Sequence, residues 1–344
     1  MTWLTWRQFR TPGLVTVVAL AVAAVILAIT GASMADLYQS GVAGCLGQSG
    51  TRACPQGTLT AFTASYGFLQ HFFGYALIGI PALIGAFWGA PLLTREVEAG
   101  THRLVWTQSI TRTRWLAVKV TLIGFATAVT TGLLSLMVTW WSGSVDLVNA
   151  NRLTPPVFDQ RGVAPVGWAL LAFAVGVTAG LLIRRTIPAM ATTLVVFTTA
   201  RILWPVYVRP YLIPPVHTDA RVGTLPFDWV GVNAGPESPM LVHVSIPGGW
   251  ILSDRTVNAA GHQVLGGTLF PLCPPPADSS GLKHAPDACF IQHLIQLGYS
   301  RSVVSYQPAS RFWPMQWVET GALIAIAMLL LTLCFWWVRR GKIS

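Results

Sequence analysis

The sequence predicts an all-α integral membrane protein. It has six transmembrane helices, a cytoplasmic elbow between the second and third, and a mixed, partly β extracytoplasmic domain between the fifth and sixth. Three observations predict it. The 344 residues are 53% hydrophobic and 10% charged, with a mean hydropathy of +0.57, whereas a soluble domain carries about 25% charged residues. Six apolar stretches are each long enough to cross a core of about 30 Å at about 1.5 Å per helical residue. Lysines and arginines gather where those stretches end, mostly on one side. The net charge of +10 therefore marks membrane edges, and no nucleic-acid partner is expected.

The stretches lie at about 14–34, 70–93, 116–141, 164–183, 187–207 and 317–338. Lys119 stands near the start of the third, where its long stem can snorkel to the interface. Pro81 and Pro188 are tolerable, because neighbouring helices can satisfy the freed carbonyls. With the N-terminus in the cytoplasm, Arg7, Arg10, Arg95, Arg103, Arg112, Arg114, Lys119, Arg184, Arg185, Arg339, Arg340 and Lys342 fall inside. Only Glu96 and Glu98 join them, and the outer loops are close to neutral. The charge bias predicts a multi-pass membrane protein with both termini cytoplasmic. A secretory signal cleaved after Ala35 is the rival reading of the first stretch. Its apolar run, 14–30, is longer than the usual core of about 7–15 residues, and cleavage would leave every other span in place.

Three regions follow. Residues 1–207 hold an N-terminal interfacial helix and five spans, 208–313 the extracytoplasmic domain, and 314–344 the sixth span and a basic tail. In the opening MTWLTWRQFR, Trp3, Trp6 and Phe9 recur every third residue, and Arg7 and Arg10 can reach lipid phosphates. A frayed start of the first span would put the segment at the same surface. The outer domain is rich in proline and polar turns. Its runs GWILSDRTVN and HQVLGGTLF alternate as strands do, and ACFIQHLIQLGY has helical spacing.

Cys45 and Cys54 lie in the first outer loop, Cys273 and Cys289 in the last. Oxidising surroundings favour local disulfides, 45–54 and 273–289, among the three possible pairings. The alternative gathers Cys273, His284, Cys289 and His293 around a metal, but the spacing is not a standard zinc pattern, and no metal is expected.

Much chemistry is excluded. The spans carry no carboxylate pair and no His-rich face, so this is not expected to be an enzyme. Only Lys119, Lys283 and Lys342 could serve a phosphate loop, and none sits in G-x-x-x-x-G-K-[ST]. Any ATP and Mg would be bound by another chain. A secondary carrier is disfavoured by nearly charge-free spans without a two-half repeat. Arg201, about two thirds along the fifth span, reads as a snorkelling residue; it could instead meet an anionic substrate or Glu319.

One connection is different. REVEAGTHRLVWTQSITRTRWLAVK, 95–119, packs charge between two spans. Gly100 suits a left-handed helix end, Thr101 can cap a short turn, and Thr111 can cap the third span. Glu96 and Glu98 at a helix C-terminus, and Arg112 and Arg114 at an N-terminus, all oppose the helix dipole. Local pairing of the glutamates with Arg103, Arg112 or Arg114 is one explanation; a docking surface for a partner is the other.

E-x-E-x-G-T, eight residues, [VI]-[ST]-R, six residues and Lys resembles the cytoplasmic elbow of type-2 ABC exporter membrane subunits. Glu96, Glu98, Gly100, Thr101, Ile110, Thr111, Arg112 and Lys119 fall on matching positions, with Ser109 replacing the common proline. The ending YQPASRFWPMQWVETG…FWWVRR is similar to a branch of these permeases common in actinobacteria. The resemblance implies a permease of the bacterial plasma membrane that pairs with a second copy, identical or a sister, above two separate ATPase subunits. Glu96, Glu98, Gly100, Thr101, Arg103, Arg112, Arg114 and Lys119 would form the ATPase-docking elbow, and the cargo would be a drug, antibiotic, peptide or lipid. Membrane lipids are the other expected partner. The alternative function is a non-transporting sensor or assembly protein whose outer domain binds a ligand.

Overall fold

A computed structural model describes residues 2–43, 56–100, 111–148, 151–222, 227–232, 237–273 and 287–340. The chain forms two compact units. One comprises Met1–Ala150, Pro155–Leu212 and Phe312–Ser344; the other comprises Asn151–Thr154 and Ile213–Arg311.

The first unit is a helical bundle. Among the described residues, six helices are long and apolar enough to cross a membrane: Phe9–Val42, Ala64–Glu98, Arg112–Trp141, Ala164–Ile183, Thr186–Tyr207 and Ala309–Arg339. Helix α1 (Thr2–Leu37) runs into a π turn, Tyr38–Val42. Helix α2 (Gln56–Ile84) passes through a π turn, Gly85–Gly89, into α3 (Pro91–Glu98). Pro91 lacks an N–H and its ring crowds the carbonyl four residues back. The wider turn, in which the Ala90 N–H donates to the Gly85 carbonyl at 2.9 Å, carries the helix past it. Helix α4 (Arg112–Trp141) starts at Thr111, whose hydroxyl accepts the Arg114 N–H at 3.3 Å. Helix α5 (Ala164–Ile183) ends on Arg184, held left-handed at φ 59°, and α6 (Thr186–Tyr207) begins two residues later.

Helix α5 is the axis of the bundle: 67% of its apolar stretch is buried, against 6% for α1. Glycines let α2 and α3 approach it. A Cβ on Gly85 would sit 2.6 Å from the Ala172 carbonyl, and one on Gly89 2.7 Å from that of Phe173. Across the interface, a Cβ on Gly180 would sit 2.5 Å from the Ala90 carbonyl. With Gly176, these residues form two facing G-x-x-x-G pairs, and backbones meet without side chains between them.

The second unit carries two antiparallel sheets. Strands β1 (Val216–Arg221), β4 (Trp250–Val257) and β5 (Arg301–Gln307) form one, in the order β1-β5-β4. Strands β2 (Phe227–Val232) and β3 (Met240–Val244) form the other. Helix α7 (Asp287–Gln296) contributes Phe290 and Leu294 to a core with Val242 and Leu269. GWILSDRTVN supplies β4 and ACFIQHLIQLGY supplies α7. HQVLGGTLF makes only isolated bridges, Val257 to Gln263 and Pro239 to Leu265, before a short helix, Gly266–Leu269. The glycine pair there offers nothing to pack on a pleated surface. The chain then returns to the first unit as α8 (Phe312–Arg339).

Candidate functional site

The end of the bundle where α3 stops and α4 starts, here the elbow end, gathers three helices through two glutamates. Glu96 is buried. Its Oε1 lies 2.5 Å from Lys119 Nζ, and its Oε2 accepts the Trp115 indole N–H at 3.0 Å. Trp115 and Lys119, one turn apart on α4, therefore share the face turned to α3. Lys119 also donates to the Leu92 carbonyl at 3.3 Å and lies 4.9 Å from the centre of the Trp115 ring.

Glu98 turns to a different helix. Its Oε1 accepts the Thr186 backbone N–H at 2.9 Å, and its Oε2 accepts the Thr186 hydroxyl at 2.5 Å. Thr94 adds a hydroxyl contact to Thr186 at 2.8 Å. A carboxylate thus caps α6 from another helix, where the dipole favours negative charge. That resolves the unfavourable placement of both acids at the C-terminus of α3: one gains an ammonium and the other a helix N-terminus. The result ties α3 to α4 and to α6.

The opposite end holds a second polar network. Arg209 is fully buried between two carboxylates. Its Nε and Nη2 donate to Glu319 at 2.7 Å each, its Nη1 donates to Asp159 Oδ2 at 3.1 Å, and Nη2 also reaches Asp159 Oδ1. Arg201 donates to Asp159 at 3.0 Å and stacks 4.5 Å over Trp168, whose indole N–H donates to Glu319 at 3.1 Å. Burial alone would lower the Arg209 guanidinium, but Asp159 and Glu319 outweigh it and hold it above its ordinary value. Nearby Arg161 pairs with Asp146, and burial pushes its guanidinium down to about 10. Gln316 accepts the Val163 and Ala164 N–H groups at 3.0 and 2.7 Å, and donates to the Phe158 carbonyl at 2.9 Å. Segment 158–164 is thereby fastened to α8, and α5, α6 and α8 share one buried charge network.

Against protein-family models, residues 17–209 match the one described as ABC-2 membrane transporter related. The chain belongs to that family. Comparison with curated proteins and with solved structures finds no match. With six apolar helices and this membership, the protein is a multi-pass membrane protein of the transporter class. The stretch matching the ABC-2 membrane transporter related family contains Glu96, Glu98, Lys119 and Thr186, together with Asp159, Arg201 and Arg209; Glu319 lies beyond it.

In this family member, the residues singled out from the sequence fall into several groups. Glu96, Glu98 and Lys119 come together with neighbouring helices, as above. Gly100 takes φ 68° after α3. Arg112 is half-buried at the start of α4, and Arg95 and Arg114 are exposed. Thr101, Arg103 and Ile110 lie outside the described residues, as do Cys45, Cys54 and His284. Trp3, Trp6 and Arg7 fall on the helical backbone of α1, and Arg10 is exposed. Cys273 and Cys289 form a disulfide, with His293 Nδ1 3.7 Å from each sulfur.

Two expectations are corrected. Lys119 does not snorkel: it is buried, because Glu96 supplies a counter-ion inside the bundle. Arg201 does not snorkel either; its side chain is 10% exposed and bound to Asp159. Sequence reasoning missed Asp159, Arg209 and Gln316, which look like ordinary loop or span-end residues. Their signal was indirect: Gln316 and Glu319 stand three apart on one face of an apolar helix.

Proposed function

We propose that this chain is the permease subunit of an ATP-driven ABC exporter, of the branch common in actinobacteria, and that it moves an amphipathic cargo outward. It works beside a second permease copy, identical or a sister. Separate ATPase subunits bind ATP and Mg and carry out the hydrolysis. The elbow end is cytoplasmic in this reading, which the concentration of arginines there supports.

The observation that carries the proposal is that Glu96 and Glu98 are each engaged by a neighbouring helix. A push delivered near Gly100 is passed to α3, α4 and α6 together rather than to one helix. Docking falls to the exposed Arg95 and Arg114, whose charge suits an acidic groove on the ATPase. The buried carboxylates are held by Lys119 at the elbow end and by Arg201 and Arg209 at the other, which fits a passive gate better than an ion-coupled carrier.

Tagged protein drawn from its own membranes should bring down a Walker-loop ATPase with measurable hydrolysis. Arg114→Glu should reduce that recovery by about tenfold or more, since like charges across an interface cost several kcal/mol, while the chain still inserts. Hydrolysis by the purified chain alone, or full recovery with both Arg95→Glu and Arg114→Glu, would overturn the reading.

A further inference from the structure

Helix α1 has fully buried residues in one half only; in its other half Phe9 is partly buried against the bundle core. Its buried residues, Leu27, Gly31, Met34 and Val42 in the following turn, all lie away from the elbow end. There the Trp141 indole N–H donates to the Thr30 hydroxyl at 3.0 Å. Over the elbow half of α1, no described side chain is buried. That half stands off from α4 and leaves a groove of about 1050 Å³.

The groove has a head and a tail. Its lining runs from Phe9 and Arg10 to Leu20 on α1 and from Leu122 to Leu133 on α4, with Trp88 beside Phe9 at a ring distance of 4.7 Å. From Leu122 to Leu133, α4 rises about 16 Å, close to half of a hydrocarbon core of about 30 Å. The depth is therefore that of one leaflet. Among the described residues of the lining, Arg10 is the charged one and is exposed; the others are apolar or threonine. A second groove of about 610 Å³ flanks the same half of α1 on the α2 side.

We propose that the groove between α1 and α4 seats an anionic phospholipid, its phosphate on Arg10 and an acyl chain along Leu122 to Leu133. An apolar trough one leaflet deep with a cation at its mouth matches that ligand in length and in charge. The site belongs to this chain alone, so it stands whether or not an ATPase docks at the elbow.

The test uses the full chain in vesicles of phosphatidylcholine with phosphatidylglycerol carrying a photoreactive group on its acyl tail. Label should map to residues 9–20 and 122–133, and unlabelled phosphatidylglycerol should compete about fivefold better than phosphatidylcholine, the preference that one arginine near a membrane surface confers. Arg10→Gln should remove that preference. Ala126→Trp, which fills the trough, should remove the label without lowering the thermal midpoint. Equal competition by both lipids, unchanged by Arg10→Gln, would reduce the groove to ordinary lipid contact and overturn the proposal. So would an unlabelled groove in which Val129→Cys cross-links two copies, because a second permease would then be the occupant.

Discussion

Arg209 meets two carboxylates at once, and its value to the fold depends on what would remain without it. Removing one partner of a buried ion pair leaves an uncompensated charge and costs about 3–5 kcal/mol; an exposed pair is worth at most about 1 kcal/mol. Arg209→Gln leaves Glu319 without its ion-pair partner and Asp159 with Arg201 alone, and both carboxylates are buried. Arg301→Gln breaks only the half-exposed contact with Asp219. Thermal unfolding in detergent should therefore show a large loss for the first and almost none for the second, and equal midpoints would refute the network's role. Such partnerships were hard to read in the chain itself. Glu96 and Lys119 stand far apart in sequence, and only the antiparallel return of α4 brings them together. Gly100 and Thr111 were readable as helix ends because their requirements are local.

At the scale of elements, the helices follow from hydrocarbon thickness and backbone satisfaction, which admit little except an apolar helix. Their neighbours follow from shape. The facing glycines of α2–α3 and α5 are spaced G-x-x-x-G on each side, but spacing alone does not say which helix answers which. A Cβ on Gly176 would lie 2.8 Å from the Ala90 nitrogen, with the Gly85 carbonyl closer still. Backbone cannot give way as a side chain can, and overpacking of this kind costs about 1–3 kcal/mol. Gly132 on α4 is the control, since a Cβ there meets only Val166 at 3.7 Å. Gly176→Ala should lower the thermal midpoint, and Gly132→Ala should leave it unchanged or raise it, because alanine is the better helix former. If both behave alike, close backbone contact is not what holds α5 to α3.

For the whole molecule, the exporter we propose requires force entering at one end to become motion of the spans. Glu98 is exposed, but each of its oxygens is engaged by Thr186. Arg114 is exposed and its backbone N–H, not its side chain, serves the Thr111 cap. The two residues should therefore fail in different ways. Arg114→Glu should lose the ATPase. Glu98→Ala should keep the ATPase bound and hydrolysing, while ATP-dependent uptake of a fluorescent amphiphile into inverted vesicles falls, because α6 no longer moves with α3. Thr186→Val, which removes the hydroxyl and keeps the backbone N–H, should give a smaller loss of uptake with binding intact. If Glu98→Ala instead releases the ATPase as Arg114→Glu does, the glutamate is a docking residue, and the coupling of α3 to α6 must lie elsewhere.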